Sequence, residues 1–163
     1  MSLNELKQYL TFNLGEECFA LEISKVREVL DYITITKVPR MPDFICGVIN
    51  LRGNVVPVID LRLKLGMSAI QKTVDTCIVI VELEINDKKI LMGALADSVQ
   101  EVIDLDQNQI EPPLQLGTKI NTDFIKGMGK QDDKFLIILD IDRVLSDMEL
   151  KKAAMTFRPA SEV

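Results

Sequence analysis

The chain has 163 residues, 47% of them hydrophobic, and a net charge of −6. That length accommodates one ordinary domain or two small units around a common core. The acidic balance argues against nucleic acid, whose phosphates need a basic surface. The absence of histidine removes the commonest general base and metal ligand, and with them Ser-His and Cys-His nucleophile pairs.

In chain order, Leu6 to Leu14 mixes strand formers (Tyr9, Thr11, Phe12) with polar positions. Gly15-Glu16-Glu17 is a turn and Cys18 to Ile23 is apolar, which predicts a hairpin. Ser24 is placed to cap a short helix holding Val26, Val29 and Leu30 at i, i+3 and i+4. Tyr32 to Val38 is rich in Ile and Thr and predicts a strand, punctuated by Pro39 and Pro42. Gly47 to Arg52 and Val55 to Leu61 predict two strands around a Gly53-Asn54 turn. Pro57 has no N–H to donate, so it is expected on an edge or at a bulge. Asp60 then caps a turn ending at Gly66, and residues 67–75 form a polar connector.

The second half follows the same plan. Thr76 to Ile85, a turn at Asn86-Asp87-Lys88, and Ile90 to Ala96 predict another hairpin. Cys77-Ile78-Val79-Ile80-Val81 is continuously apolar, which predicts burial on both faces. Asp97 is placed to cap a second short helix holding Val99, Val102 and Ile103, with Gln100 approximating a capping box. Glu111 to Thr122 reads as a loop and Phe135 to Ile141 as a buried strand. Asp142 to about Ala154 is the longest helix candidate, with Val144, Leu145 and Met148 on one face. Phe157 to Val163 reads as a frayed tail. Many short strands with regular turns favour small barrels over a parallel α/β sheet. No apolar run reaches the length of a membrane span, and residues 1–10 lack the apolar run of a signal peptide. The chain therefore reads as cytoplasmic. Cys18, Cys46 and Cys77 are widely spaced and read as small apolar residues in a reducing compartment.

The two halves repeat one another. Phe44-Ile45-Cys46-Gly47 opens a stretch that closes on Val58-Ile59-Asp60-Leu61, and Phe124-Ile125-Lys126-Gly127 opens one that closes on Ile138-Leu139-Asp140-Ile141, an offset of 80. Val26-Arg27-Glu28-Val29-Leu30-Asp31 is echoed by Val99-Gln100-Glu101-Val102-Ile103-Asp104 at an offset of 73, which Pro39 and Pro112 keep. Two copies predict two similar barrels with a cleft between them. The apolar pairs Val55/Phe135, Val56/Leu136, Val58/Ile138, Ile59/Leu139 and Leu61/Ile141 build that scaffold. Asn50-Leu51-Arg52-Gly53 is not repeated; Lys130-Gln131-Asp132-Asp133 stands in its place. Arg52 is therefore either a turn-capping or snorkelling arginine, or half of an ion pair with Glu28 at a binding surface. Val26, Val29 and Leu30 are either a core stripe or, with Val99 and Val102, the lining of a groove for an amphipathic partner helix.

Catalytic and cofactor signatures are missing. No phosphate loop occurs, and Gly127-Met128-Gly129 is a lone G-x-G that reads as a turn. Asp104, Asp106 and Asp132-Asp133 match turn acidity rather than a calcium loop. No catalytic residue, metal ligand or cofactor is assigned, and the chain is read as a non-enzyme.

Phe44 to Gly53, followed by Val55-Val56-Pro57-Val58-Ile59-Asp60-Leu61-Arg62, closely resembles the signature of the CheW family of bacterial chemotaxis coupling proteins. The likeness spans residues 6–150, read as a single CheW-like domain of two pseudo-repeated subdomains, and leaves 151–163 as a helix end and tail. The resemblance implies an all-β fold with short helices: two five-stranded SH3-like β-barrel subdomains packed around a shared core. It implies an adaptor without catalysis, monomeric on its own and not inserted into the membrane. One subdomain would bind the regulatory domain of the histidine kinase CheA. The groove between subdomains would take the cytoplasmic tip of a chemoreceptor, in arrays at the inner face of the membrane. The positions matching the receptor groove are Val26, Val29, Leu30 and Val99. Glu28 and Arg52 match a family ion pair near these surfaces, and Ile35 and Gly47 match positions near the kinase contact. Leu30 stands where some relatives are charged. Two other readings are a coupler or array-building paralogue of a non-flagellar pathway, and a small hydrolase or ligand-binding barrel using acidic residues.

Overall fold

The computed structural model describes residues 6–85, 87–112, 124–131 and 133–144. Its strands are β1 (Lys7–Leu14), β2 (Glu17–Glu22), β3 (Val26–Asp31), β4 (Ile45–Leu51), β5 (Asn54–Asp60), β6 (Cys77–Ile85), β7 (Lys88–Ala96), β8 (Ser98–Leu105), β9 (Ile110–Glu111), β10 (Ile125–Gln131) and β11 (Lys134–Leu139). Helix α1 is Leu61–Lys64 and helix α2 is Ile141–Val144. Both expected hairpins form, and Ile78 to Val81 are fully buried as the apolar run requires.

The strands make two sheets, ordered β3-β6-β7-β5-β4 and β8-β1-β2-β11-β10-β9. These orders correspond position by position, with one exchange. Hairpin β6–β7 lies between β3 and β5 of the first copy, and hairpin β1–β2 lies between β8 and β11 of the second. The registers match as well: Val58 pairs with Gly93 and Ile59 with Ala94 in one sheet, while Ile138 pairs with Ala20 in the other. The expectation of one barrel per copy is therefore corrected. Two barrel-like subdomains form, but each takes its central hairpin from the other copy.

Among the described residues, three apolar clusters follow from this arrangement. One fills the first barrel around Ile49, Val58, Ile78 and Ile80. A second fills the other barrel around Tyr9, Ile103, Leu136 and Ile138. The largest lies between the sheets and draws Phe12, Phe19 and Leu21 from one and Ile59, Val81 and Met92 from the other. Alternate residues of each hairpin strand serve different clusters. Val79 and Val81 face the shared core while Ile78 and Ile80 face the first barrel's interior. Val55 and Phe135, expected among the scaffold-building pairs, are instead exposed.

The two short helices expected at Val26–Leu30 and Val99–Ile103 are strands β3 and β8. The residue spacing that suggested helices has another cause. In β3, Val26 pairs with Val81 and Glu28 with Ile80, which leaves Arg27 as the extra residue of a bulge. In β8, Val99 pairs with Phe12 and Val102 with Leu10, three steps against two. A bulge adds one residue to the two-residue alternation. Apolar residues three apart then share a face of a strand. A capping box does occur nearby, at Asp106 and Gln109, where it starts a single 3-10 turn.

Tyr32–Val38 is not a strand; it touches β4 through one bridge, Thr36 to Val48. Its counterpart in the other sheet is β9, which pairs with β10 at Met128 and Gly129 and makes that sheet six-stranded rather than five. Pro57 sits in an inner strand, without a bulge of its own. Val48, opposite it, directs its N–H and C=O to Thr36, and pairing with β7 begins only at Val58. Asp60 caps α1 as expected, accepting from the Arg62 N–H at 2.9 Å and the Ile70 N–H at 2.8 Å. Gly66, at φ 85°, ends that helix: its N–H bonds to Leu63 and that of Met67 to Arg62, a Schellman closure. Asp140 repeats the cap on α2, accepting from the Arg143 N–H. Beyond Val144, the expected helix and tail lie outside the described residues, as do Pro113 to Thr122 of the expected loop.

The repeated Phe-Ile-x-Gly has a steric basis. Gly47 adopts φ 146°, and a Cβ there would lie 2.1 Å from the Thr36 carbonyl oxygen. A Cβ on Gly127 would lie 2.7 Å from Ile110. Each glycine lets a crossing segment seat directly on the strand. Gly47→Ala is expected to destabilise the fold by about 3 kcal/mol, since backbone must move. Gly53→Ala, at φ 86° with open space around it, is expected to cost about 1 kcal/mol. Urea denaturation of both variants checks the ranking.

Candidate functional site

Strands β3 and β8 are the outer strands at corresponding ends of their sheets. The β3 bulge sets Val26 and Val29 opposite Val81 and Val79, on the shared-core side. The β8 bulge sets Val99 and Val102 opposite Phe12 and Leu10, on the same side. Val26 and Val99 pack partly buried against the shared core, while Val29 is 41% and Val102 47% exposed. The structure thus brings Val26, Val29 and Val99 to the rims of one core and adds Val102. Leu30 departs from them. It lies opposite Ile78 and packs into the first barrel's own interior.

Glu28 and Arg52 form an ion pair and a hydrogen bond. Arg52 and Gly53 make the two-residue loop between β4 and β5, with φ of 51° and 86°, as a type I′ loop requires. Asn50 accepts a hydrogen bond from the Gly53 N–H at 2.8 Å. Strands β3 and β4 are the two ends of the five-stranded sheet, so this pair links one end strand to the loop that follows the other. The hydrogen bond to Glu28 raises the Arg52 pKa further. Arg52 remains 70% exposed, so the pair contributes little to stability. A non-glycine residue held at positive φ carries a backbone cost. The counterpart of Arg52, Asp132, lies outside the described residues.

Ile35 and Gly47 are neighbours: the Ile35 side chain comes within 2.9 Å of where a Gly47 Cβ would be. Both belong to the seam where the Thr36 segment crosses β4.

Polar ties between the barrels were missed by sequence reasoning, because their partners are far apart in the chain. Arg62, after α1 begins, reaches Asp97 at 3.0 Å. Asp97 also accepts from the Gly15 N–H in the β1–β2 turn. Near the other crossover, Lys25 pairs with Asp142 of α2 at 2.8 Å. The two ties are alike in place and opposite in sign. Asp97, expected as a helix cap, is a junction. Beside Lys25, Glu22 accepts from Lys126 at 2.8 Å and from Lys7 at 3.3 Å. Burial works to raise the Glu22 pKa, but these two lysines outweigh it and hold the carboxyl below its usual range.

The three cysteines are free and partly buried. Burial raises the pKa of each thiol, that of Cys46 to about 11, so they stay protonated at neutral pH. Among the described residues, no group of three His, Cys, Asp or Glu could hold a metal ion. No described helix is long and apolar enough to cross a membrane.

Two interlocked barrels that present a pair of bulged outer strands beside a shared core define a β-barrel scaffold. The CheW-like domain matches residues 8–149. The chemotaxis protein CheW of Helicobacter pylori is 37% identical over 142 residues, 86% of this chain and 82% of that one. Its counterpart from Klebsiella aerogenes is 33% identical over 144 residues, 88% of this chain and 84% of that one. The crystal structure of scaffolding protein TtCheW from Thermoanaerobacter tengcongensis superposes with a TM-score of 0.78 at 41% identity, covering 89% of this chain and 91% of that one. The chain belongs to the CheW family of chemotaxis scaffold proteins.

Asp97→Ala is expected to cost about 2 kcal/mol, because it strands Arg62 and the Gly15 N–H; urea midpoints measure it. Glu22 titrates lower when folded than when unfolded. Its contribution is present in full above the ordinary carboxylate range and is lost as pH falls through the folded value. The stability gap between wild type and Glu22→Gln is therefore expected at neutral pH and should close in acid, as read by denaturation across a pH series.

Proposed function

We propose that the chain is a non-enzymatic adaptor, acting as one module over residues 6–150. It couples the cytoplasmic tip of a chemoreceptor to the histidine kinase CheA at the inner face of the membrane. The observation that carries this reading is the pair of valine ridges, Val26/Val29 and Val99/Val102, flanking one shared core. Apolar pairs three apart on two rims of one core suit an amphipathic helical partner, whose own anchors recur every three or four residues. The receptor tip supplies such a helix. Membership of the CheW family supports the same assignment.

The kinase would dock near Ile35 and Gly47, on a seam that the Thr36–Val48 bridge ties to β4. The Glu28–Arg52 pair would lie beside both contacts. It links β3 to the β4–β5 loop without adding much stability. The adaptor then works by position: a change in tip packing alters how the kinase is held and biases an existing equilibrium between its active and inactive states.

Co-sedimentation with receptor-containing membranes and the cognate kinase tests the reading. Wild-type chain is expected to be retained by both, and retention by neither defeats the proposal. Val29→Asp and Val102→Asp, at exposed sites, are expected to weaken receptor-tip binding about tenfold or more and to spare kinase binding. In a double-mutant cycle, Glu28→Ala and Arg52→Ala are expected to be non-additive in partner affinity. Additive losses would show that the two side chains act independently.

A further inference from the structure

The two bulges on the outer strands are not built alike. In the first barrel, Glu28 keeps a main-chain pairing with Ile80 beside the bulge. The corresponding pairing in the second barrel would join Glu101 to Thr11, and it is absent: the register jumps from Leu10 to Phe12. The Thr11 side chain takes over instead. Its hydroxyl donates to the Glu101 carbonyl at 2.8 Å and accepts from the Glu101 N–H at 3.1 Å. Thr11 is 3% exposed, so water does not readily substitute for it. One hydroxyl satisfies both polar groups of the residue at the centre of the bulge.

We propose that Thr11 is a positioning residue: its hydroxyl fixes the register of β8 and so sets Val99 and Val102 on one face as a ridge for a partner helix. This rests on the groove reading given above. Without the hydroxyl, Glu101 has an unpaired N–H and C=O beside a buried strand. A one-residue slip that restores ordinary pairing becomes favourable, and that slip turns Val102 to the other face. The Ile80 position cannot act this way, since its side chain has no polar group.

The test uses the full chain with Thr11→Val, close in shape but lacking the hydroxyl, and Thr11→Ser, which keeps it. Amide hydrogen exchange at Glu101 and binding to a receptor-tip fragment are both measured. Thr11→Val is expected to speed Glu101 exchange about tenfold and to weaken tip binding several-fold, with kinase binding unchanged. Thr11→Ser is expected to hold both near wild type. Unchanged Glu101 exchange in Thr11→Val, or faster exchange with undiminished tip binding, overturns the proposal. Loss of protection or binding in Thr11→Ser overturns it as well, by assigning the role to the methyl group, and this arm decides even if Thr11→Val fails to fold. Failure of wild-type chain to bind the tip defeats the groove reading itself, and is told apart by the wild-type measurement alone.

Discussion

The structure depends on the exchange of its hairpins. Hairpin β1–β2 pairs with β8 and β11 of the second copy, and β6–β7 pairs with β3 and β5 of the first. Each hairpin carries a double load. One face fills the interior of its adopted barrel, and the other fills the core between barrels. Removing either hairpin would open two cores at once. The hydrophobic term that holds a barrel together is thus also the term that holds the two barrels to each other.

The crossovers are short. The chain passes from β2 to β3 through Ile23–Lys25 and from β7 to β8 through Asp97 alone. Both crossings are pinned by ion pairs to the helix that closes a β-strand nearby, Lys25 to Asp142 and Asp97 to Arg62. The bulges of β3 and β8 follow within a few residues of these crossings. Local extra twist is what a bulge supplies, and a strand leaving one barrel for the edge of another needs it. The same feature sets the valine ridges at helical spacing. A folding requirement and the candidate binding surface share one device.

The unrepeated segment occupies the opposite end of the sheet. Arg52 holds a backbone conformation that favours glycine and reaches across to Glu28. Strand β4, which leads into it, rests on Gly47, where no side chain fits. The candidate kinase seam is therefore set by backbone packing, while the candidate receptor ridges are set by bulge register. Two surfaces under separate control suit the scaffold class to which the chain belongs.

Much of this was legible in the residues. The duplication and the unmatched Arg52 show when the two copies are compared, and both hairpins, the doubly buried run from Ile78 to Val81, and the Asp60 cap with its Gly66 stop follow from local pattern. The latter depend on neighbours within a few positions, where period, capping and turn chemistry act. Three things were not legible. Val26–Leu30 and Val99–Ile103 read as helices, because a bulged strand buried in part on both sides mimics a spacing of three and four. Leu30 read with the groove valines, because the strand alternation that turns it to the face opposite Val29 is hidden while the segment reads as a helix. The hairpins read as belonging to their own copies, because identical registers are available in both sheets. Sequence alone determined that there would be two equivalent β units with one specialised loop. Only the tertiary structure decided which hairpin completes which unit, since that choice is made by the shared core, a surface that no single copy possesses.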